Sequence, residues 1–357
     1  MSNDSEIRIG LIGAGNIGKV HLEVFEQVKG ASIVAIHDAF LPLAEQRAQQ
    51  YGIQNVHDRV ENLIHDDRLD AVIIGVPNTF HAPLAIQALE ASKHVLLEKP
   101  MALNSAAAKD IVRAERASGK IAMIAHQMRW QWNTIQLKEQ IEKGALGSIY
   151  GAKTGWLRRK GIPGWGTWFT RNSESGGGPL IDLGVHMLDL ALYLMGNPKP
   201  ISVSGSTFAE FGPRKKGIGT WGKPDWNGYF DVEDLAMAFI KMDDGSTLSL
   251  DVSWAVHMDT DNQPFVHLMG SEGGASIVGN SAKLLTEIFD RAVDVPLNQP
   301  ADDEGDRVRL SRHFIECIRE CKTPISSVLT GLANNLIIDA IFESSRSGKE
   351  VVLDWNI

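Results

Sequence analysis

Cysteine is nearly absent: the 357 residues include two, Cys317 and Cys321. A disulfide framework or a four-ligand zinc site cannot be built from two such residues alone. They read as helix residues kept reduced, which places the chain in the cytoplasm. An excess of basic residues is missing too. Thirty-five Lys and Arg stand against 44 Asp and Glu, a formal charge of −9, so no global positive field gathers nucleic acid or an anionic membrane, and neither is an expected partner. No long apolar run is free of ionisable groups: the most apolar stretch, Pro179–Gly196, carries Asp182, His186 and Asp189 and does not read as a membrane span. No secretory leader opens the chain, because Met1–Glu6 is polar and the next apolar run, Ile7–Ile12, reads as a strand. One absence is local. All nine tryptophans lie at or after Trp130.

What is present has ordinary globular proportions, 43% apolar and 22% charged. At about 150 residues per domain the length suggests two domains, and the tryptophan step puts the boundary near residue 125. Before it, short apolar runs without alternation (Ile7–Ile12, Ser32–His37, Ala71–Val76, Lys93–Leu97, Ile121–Ala125) read as strands buried on both faces. Helical stretches separate them at Gly18–Lys29, Pro42–Tyr51, Pro83–Ala91 and Ser105–Ser118. Repeated strand–helix units predict an α/β, doubly wound parallel sheet of the Rossmann type over residues 1–125, with ligands beyond the carboxyl ends of its strands. Residues 126–357 read as an α+β domain with a large, mostly antiparallel open sheet. Helices are predicted near Asn133–Lys143 and Pro179–Met195, and strands at Ser148–Trp156, Ile201–Phe208, Asp234–Met242, Thr247–Ala255 and Phe265–Gly270. Asp243-Asp244-Gly245 is a hairpin turn. The span Ala209–Asp231, rich in Gly, Pro and Trp, is long for a loop. Its Trp221 and Trp226 either cap a neighbouring subunit or fold onto their own domain.

The first strand runs into Gly13-Ala14-Gly15-Asn16-Ile17-Gly18, which opens the first helix. In that context the three glycines serve a tight turn, close approach to a pyrophosphate, and helix–strand packing. The helix N-terminus offers N–H groups and a positive dipole end to phosphate. Asp38 ends the second strand, where a carboxylate accepts hydrogen bonds from a ribose diol and repels a 2′-phosphate. No Lys or Arg occurs between Asp38 and Leu43, so NAD is expected rather than NADP. Pro77, Asn78 and His81 follow the third core strand at the same edge and are candidates for the nicotinamide half.

Glu98-Lys99-Pro100 follows the next strand. Lys99 would face the cofactor cleft, held by an ion pair to Glu98; a solvated charge pair explains the dipeptide as well. Gly176-Gly177-Gly178-Pro179 starts a helix on which Asp182 and His186, i and i+4, share a face in apolar surroundings. Ionisable groups there are costly unless paired or working. Either Asp182 and His186 form a structural hydrogen bond, or Asp182 orients an imidazole that, near its reference pKa of ~6.5, moves protons. The scattered remaining histidines suggest no metal site.

These three motifs, in this order and spacing, resemble the Gfo/Idh/MocA oxidoreductases, which include glucose–fructose oxidoreductase and inositol 2-dehydrogenase. The resemblance spans essentially the whole chain. It implies that Lys99 contacts nicotinamide and substrate hydroxyl, that His186 is the acid/base with Asp182 its partner, and that the open sheet makes homodimers or homotetramers. The stretch Trp156–Thr170, with Arg158-Arg159-Lys160 and Trp165, is similar to members acting on sugars, sugar derivatives or cyclitols, some at ring C3. Aromatic faces stack on pyranose C–H faces while Arg and Lys serve hydroxyls. Arg129, Arg158 and Trp165 therefore join Lys99, Asp182 and His186 as candidate substrate contacts. The basic run would equally bind a phosphate or line a solvated edge. The expected function is NAD-dependent hydride transfer from a secondary alcohol of a sugar or cyclitol. The alternatives are a hydrolase or lyase working through a transient keto-sugar, and a non-catalytic NAD(H) sensor.

Overall fold

The computed structural model describes residues 6–259 and 261–357; most of the polar opening, Met1–Ser5, lies outside the described residues. The chain separates into two compact units. One runs up to Gln127 and takes in Glu304–Leu332 and Ile357. The other comprises Met128–Asp303 and Ala333–Asn356.

The first unit alternates strand and helix: β1 (Ile7–Ile12), α1 (Asn16–Phe25), β2 (Ala31–His37), α2 (Leu41–Tyr51), β3 (Asn55–His57), α3 (Val60–Ile64), β4 (Ala71–Ile74), α4 (His81–Glu90), β5 (His94–Leu97), α5 (Ser105–Ser118) and β6 (Ala122–Ile124). The strands pair in parallel in the order β3-β2-β1-β4-β5-β6. The strand order reverses beside β1, the switch point at which doubly wound sheets bind ligands. Every residue of β4 is buried, as the unalternated apolar run requires. Helix α1 ends at Phe25, short of the expected Lys29, but local chemistry bounds α5 where the sequence expects. Asn104 caps α5 by accepting the Ala107 N–H at 2.9 Å, and Gly119 ends it in the left-handed conformation. The short pair β3–α3 carries too little periodicity to be foreseen.

The second unit contains α6 (Trp132–Glu142), β7 (Ile149–Leu157) and α7 (Asn172–Ser175). A π-helical turn at Leu180–Gly184 then runs into α8 (Val185–Met195). Seven strands follow: β8 (Pro200–Phe208), β9 (Leu235–Met242), β10 (Thr247–Ser253), β11 (Gln263–Gly270), β12 (Gly274–Val278), β13 (Ser281–Ile288) and β14 (Arg291–Leu297). The chain continues through α9 (Asp306–Glu320) and α10 (Val328–Ser347) to β15 (Val351–Val352). The nine-stranded sheet runs β14-β13-β12-β11-β7-β10-β9-β8-β15. It is antiparallel except where β7 and β10 pair in parallel. Helix α8 crosses β7, β10 and β11, and its apolar side chains from Val185 to Leu194 form the centre of the core. The stretch Asn172–Met195 has the length and hydropathy of a bilayer span, yet 83% of its most apolar window is buried in this core.

The expected division into 1–125 and 126–357 differs from the observed units at residues 304–332. Leu310, Phe314, Ile315 and Cys317 form the buried face of α9, which packs on α1. Ser326 donates to the Ile124 carbonyl at 2.7 Å. An amphipathic helix announces that it needs a core, but not which one. Cys317 is buried, Cys321 exposed, and both are free thiols.

Candidate active site

The glycine-rich turn has the geometry its spacing requires. A Cβ on Gly13 would fall 2.2 Å from the Gly75 carbonyl oxygen, and one on Gly18 2.0 Å from that of Gly13, so strand and helix approach as closely as backbone allows. At Gly15 a Cβ would meet nothing within 4 Å. The middle glycine therefore faces open space at the N-terminus of α1, where a dinucleotide's phosphates fit. Asn16, exposed, and Ile17, half-buried, form the first turn of that helix. Asp38 accepts the Ala14 N–H at 2.7 Å and the Phe40 N–H at 2.8 Å, which fixes its carboxylate at the end of β2. A carboxylate has about four acceptor positions, so two remain for a ribose diol. Arg47, not foreseen from sequence, reaches back to the Ala14 carbonyl at 3.4 Å.

Past β4, Pro77 precedes a single turn, Asn78–Phe80, in which Asn78 is buried. His81 differs from expectation. Its ring is buried, with Nδ1 2.6 Å from the Pro100 carbonyl and Nε2 2.9 Å from that of Val76. Each ring nitrogen faces a backbone carbonyl, and the neutral ring, with its single N–H, donates to one of the two. Burial pushes its imidazole below the usual range.

Glu98 also differs. Its carboxylate is buried and meets His21 Nε2 at 3.0 Å and Arg307 Nη1 at 3.2 Å. Burial alone would raise this acid. The hydrogen bond from His21 and the charges of Arg307, His21 and Lys99 outweigh that and hold it down to about 2. Glu98 is thus an anchor for the turn. Lys99, half-buried, follows it, and its backbone N–H lies 3.3 Å from Glu98 Oε2.

In the second unit Asp182 and His186 line one cavity of about 440 Å³. Asp182 sits in the π-helical turn and His186 in the first turn of α8. Asp182 Oδ2 accepts the indole N–H of the fully buried Trp254 at 3.0 Å. This clamp was not foreseen, because Trp254 lies just past β10, 72 residues along the chain. The tryptophan content after residue 129 is the only hint of it. Trp156 tilts toward His186 with ring centroids 6.5 Å apart. Asn262 Oδ1 accepts from both Trp156 Nε1 at 2.9 Å and Arg158 Nε at 3.0 Å, and the guanidinium lies 4.8 Å from the Trp156 ring. Burial lowers the Arg158 pKa against the charges of Asp182 and Asp261; the guanidinium still stays protonated. Asn262 and Asp261 complete this wall and escaped the sequence reading.

Two expected substrate contacts belong to the core instead. Arg129 is fully buried and forms a two-pronged pair with Asp189, at 2.7 and 2.6 Å; Asn334 joins Asp189 at 3.3 Å. This pairing explains how the apolar helix tolerates Asp189. Trp165 is buried in a satellite cluster with Ile162, Leu183, Val232 and Trp254, and its indole donates to the Gly212 carbonyl at 2.8 Å. At the start of the helix, Glu233 was also missed. Its carboxylate accepts the Gly178 and Leu180 N–H groups at 2.9 Å. Burial outweighs those bonds and pushes it up to about 7.

Residues 7–126 match the oxidoreductase family with an NAD-binding Rossmann fold, and residues 134–276 match the Gfo/Idh/MocA C-terminal domain. D-glucoside 3-dehydrogenase of Escherichia coli (strain K12) is 32% identical over 98% of both chains. The protein belongs to the Gfo/Idh/MocA oxidoreductases. A further family member, scyllo-inositol 2-dehydrogenase (NAD(+)) of Bacillus subtilis (strain 168), is 28% identical over 98% of this chain and 97% of its own. The fold matches that of a levoglucosan dehydrogenase solved with NADH and levoglucosan, at a TM-score of 0.88 and 24% identity over 98% of this chain and 100% of the other. The Gly13–Gly18 turn and Asp38 lie inside the matched Rossmann segment.

Proposed function

We propose that the protein oxidises a secondary hydroxyl of a sugar, sugar derivative or cyclitol with NAD, and that Asp182, His186 and Lys99 manage the proton. The observation that carries this reading is the cavity in which Asp182 and His186 stand among tryptophan rings and hydrogen-bonding side chains. That lining suits a polyhydroxylated ring with apolar C–H faces. The named activities of the relatives, on a glucoside and an inositol, support it.

NAD, when bound, supplies the hydride acceptor. His186 takes the hydroxyl proton as the C–H bond breaks. Asp182 stabilises the imidazolium so formed, and Trp254 fixes the carboxylate that does so. Lys99, on the family pattern, donates a hydrogen bond to the reacting oxygen as it becomes a carbonyl. Two free thiols support a cytoplasmic setting, and the second unit's sheet is the proposed homodimer or homotetramer interface.

NADH absorbance followed with a panel of cyclitols, aldoses, uronates and glycosides tests the reading. Net NADH with one subset is expected. An enzyme that eliminates a group after transient oxidation, or a sensor, yields none. Lys99→Met is expected to lower kcat by about a hundredfold or more with NAD affinity kept; unchanged turnover sinks the role given to Lys99.

A further inference from the structure

The segment between β8 and β9 is long but not loose. It is laced to residues 162–165 by backbone hydrogen bonds: Ile162 N–H to Gly217 O and Gly219 N–H to Ile162 O, both 2.9 Å, Gly164 N–H to Trp221 O at 3.0 Å, and Asp225 N–H to Trp165 O at 2.7 Å. Trp226 stacks on Trp165, with centroids 5.7 Å apart and 26° between planes. The segment folds onto its own unit and becomes a wall of the cavity that holds Asp182 and His186. Gly219, Thr220 and Trp221 form that wall. Trp221 is fixed at its backbone and edge-on to Phe169 at 4.8 Å, yet 54% of its surface is exposed. An exposed aromatic face on a cavity wall suits a flat apolar group of a ligand, and anchoring of the backbone beneath it limits the ordering that binding must impose.

The cavity's charges balance. Arg158 and Lys160 face Asp182 and Asp261, so a phosphate or carboxylate finds no net attraction there. The Arg158 fork is held by Asn262 at Nε, which leaves its two terminal nitrogens to donate side by side to neighbouring hydroxyls.

Resting on the sugar-dehydrogenase reading, we propose that Trp221 forms a distal subsite for the aglycone of a neutral pyranoside, so that glycosides with a ring-bearing aglycone are preferred over simple glycosides and sugar phosphates. The test compares kcat/KM for phenyl and methyl D-glucopyranoside, both anomers, with NAD. The wild-type protein is expected to favour the phenyl glycoside about tenfold. Trp221→Ala brings that ratio close to one, chiefly through KM for the phenyl glycoside, and Trp221→Phe restores most of it. A ratio unchanged in Trp221→Ala overturns the subsite, whether both rates fall together or neither falls. Faster turnover of glucose 6-phosphate than of either glycoside overturns the neutral assignment. Calorimetric titration of phenyl glucoside into the NADH-loaded protein separates the two layers of the proposal. Binding that Trp221→Ala weakens, without turnover, keeps the subsite and removes the dehydrogenase reading. Neither binding nor turnover overturns the subsite itself.

Discussion

Glu98 shows how one buried carboxylate holds the turn that carries Lys99. It is buried between His21 and Arg307 and held ionised down to about 2. Its folded-state pKa lies below the unfolded value of about 4.3. The stability it contributes is therefore present above that value and lost as pH falls toward 2. Glu98→Gln is expected to cost about 2 kcal/mol at pH 7, and the gap to wild type should close as pH drops through that window in urea denaturation. A gap independent of pH would mean that shape, not charge, is what Glu98 supplies. Residues of this kind were the hard ones to read. Glu98, His81, Arg129 and Trp165 were recognisable as chemically capable but not by where they point. An arginine near a domain boundary looks alike in sequence whether it serves a sugar or Asp189. Lys99, Asp182 and His186 could be nominated because a turn and a helix carry each motif locally. Asn262 reaches the cavity and Trp254 reaches Asp182 from distant segments, and neither carries a local pattern.

At the scale of elements, periodicity carried most of the information. The unalternated runs gave β1, β2, β4, β5 and β6 within a few residues, and Asn104 with Gly119 fixed α5 at both ends. Less was legible after Gly270. There β12 has five residues, and the largely solvent-facing positions of β13 and β14 weaken the alternation. The strand-to-helix turn at Gly13–Gly18 offers a separation of folding from binding. Gly15→Ala has room for its methyl group and an extended, negative-φ backbone. It should unfold like wild type while NAD affinity falls about tenfold or more, because the methyl occupies space needed by the dinucleotide. Gly18→Ala drives a Cβ into the Gly13 carbonyl and should lower stability by about 1–3 kcal/mol. Thermal melts paired with NADH fluorescence titrations check both. Equal NAD affinity in Gly15→Ala and wild type would contradict the phosphate position.

At the scale of the whole molecule, the second unit's sheet alternates in β9. Ala236, Ile240 and Met242 are buried, while Met237 and Phe239 are 47% and 43% exposed. Apolar side chains on an otherwise solvated sheet face are those an assembly would cover. Sedimentation is expected to give a dimer or tetramer, and Phe239→Glu to shift it toward the monomer; an unshifted mass would move the interface elsewhere. The chain's route through its two units has a consequence for synthesis. Residues 304–332 belong with the first unit, where Arg307 meets Glu98 and α9 covers α1. A nascent chain commonly folds its leading domain while the rest is still being made. Here the leading domain waits: the ribosome must deliver every strand of the second sheet but β15 before the nucleotide-binding unit receives its last helix, and until then the surface of α1 that α9 covers is open to chaperones.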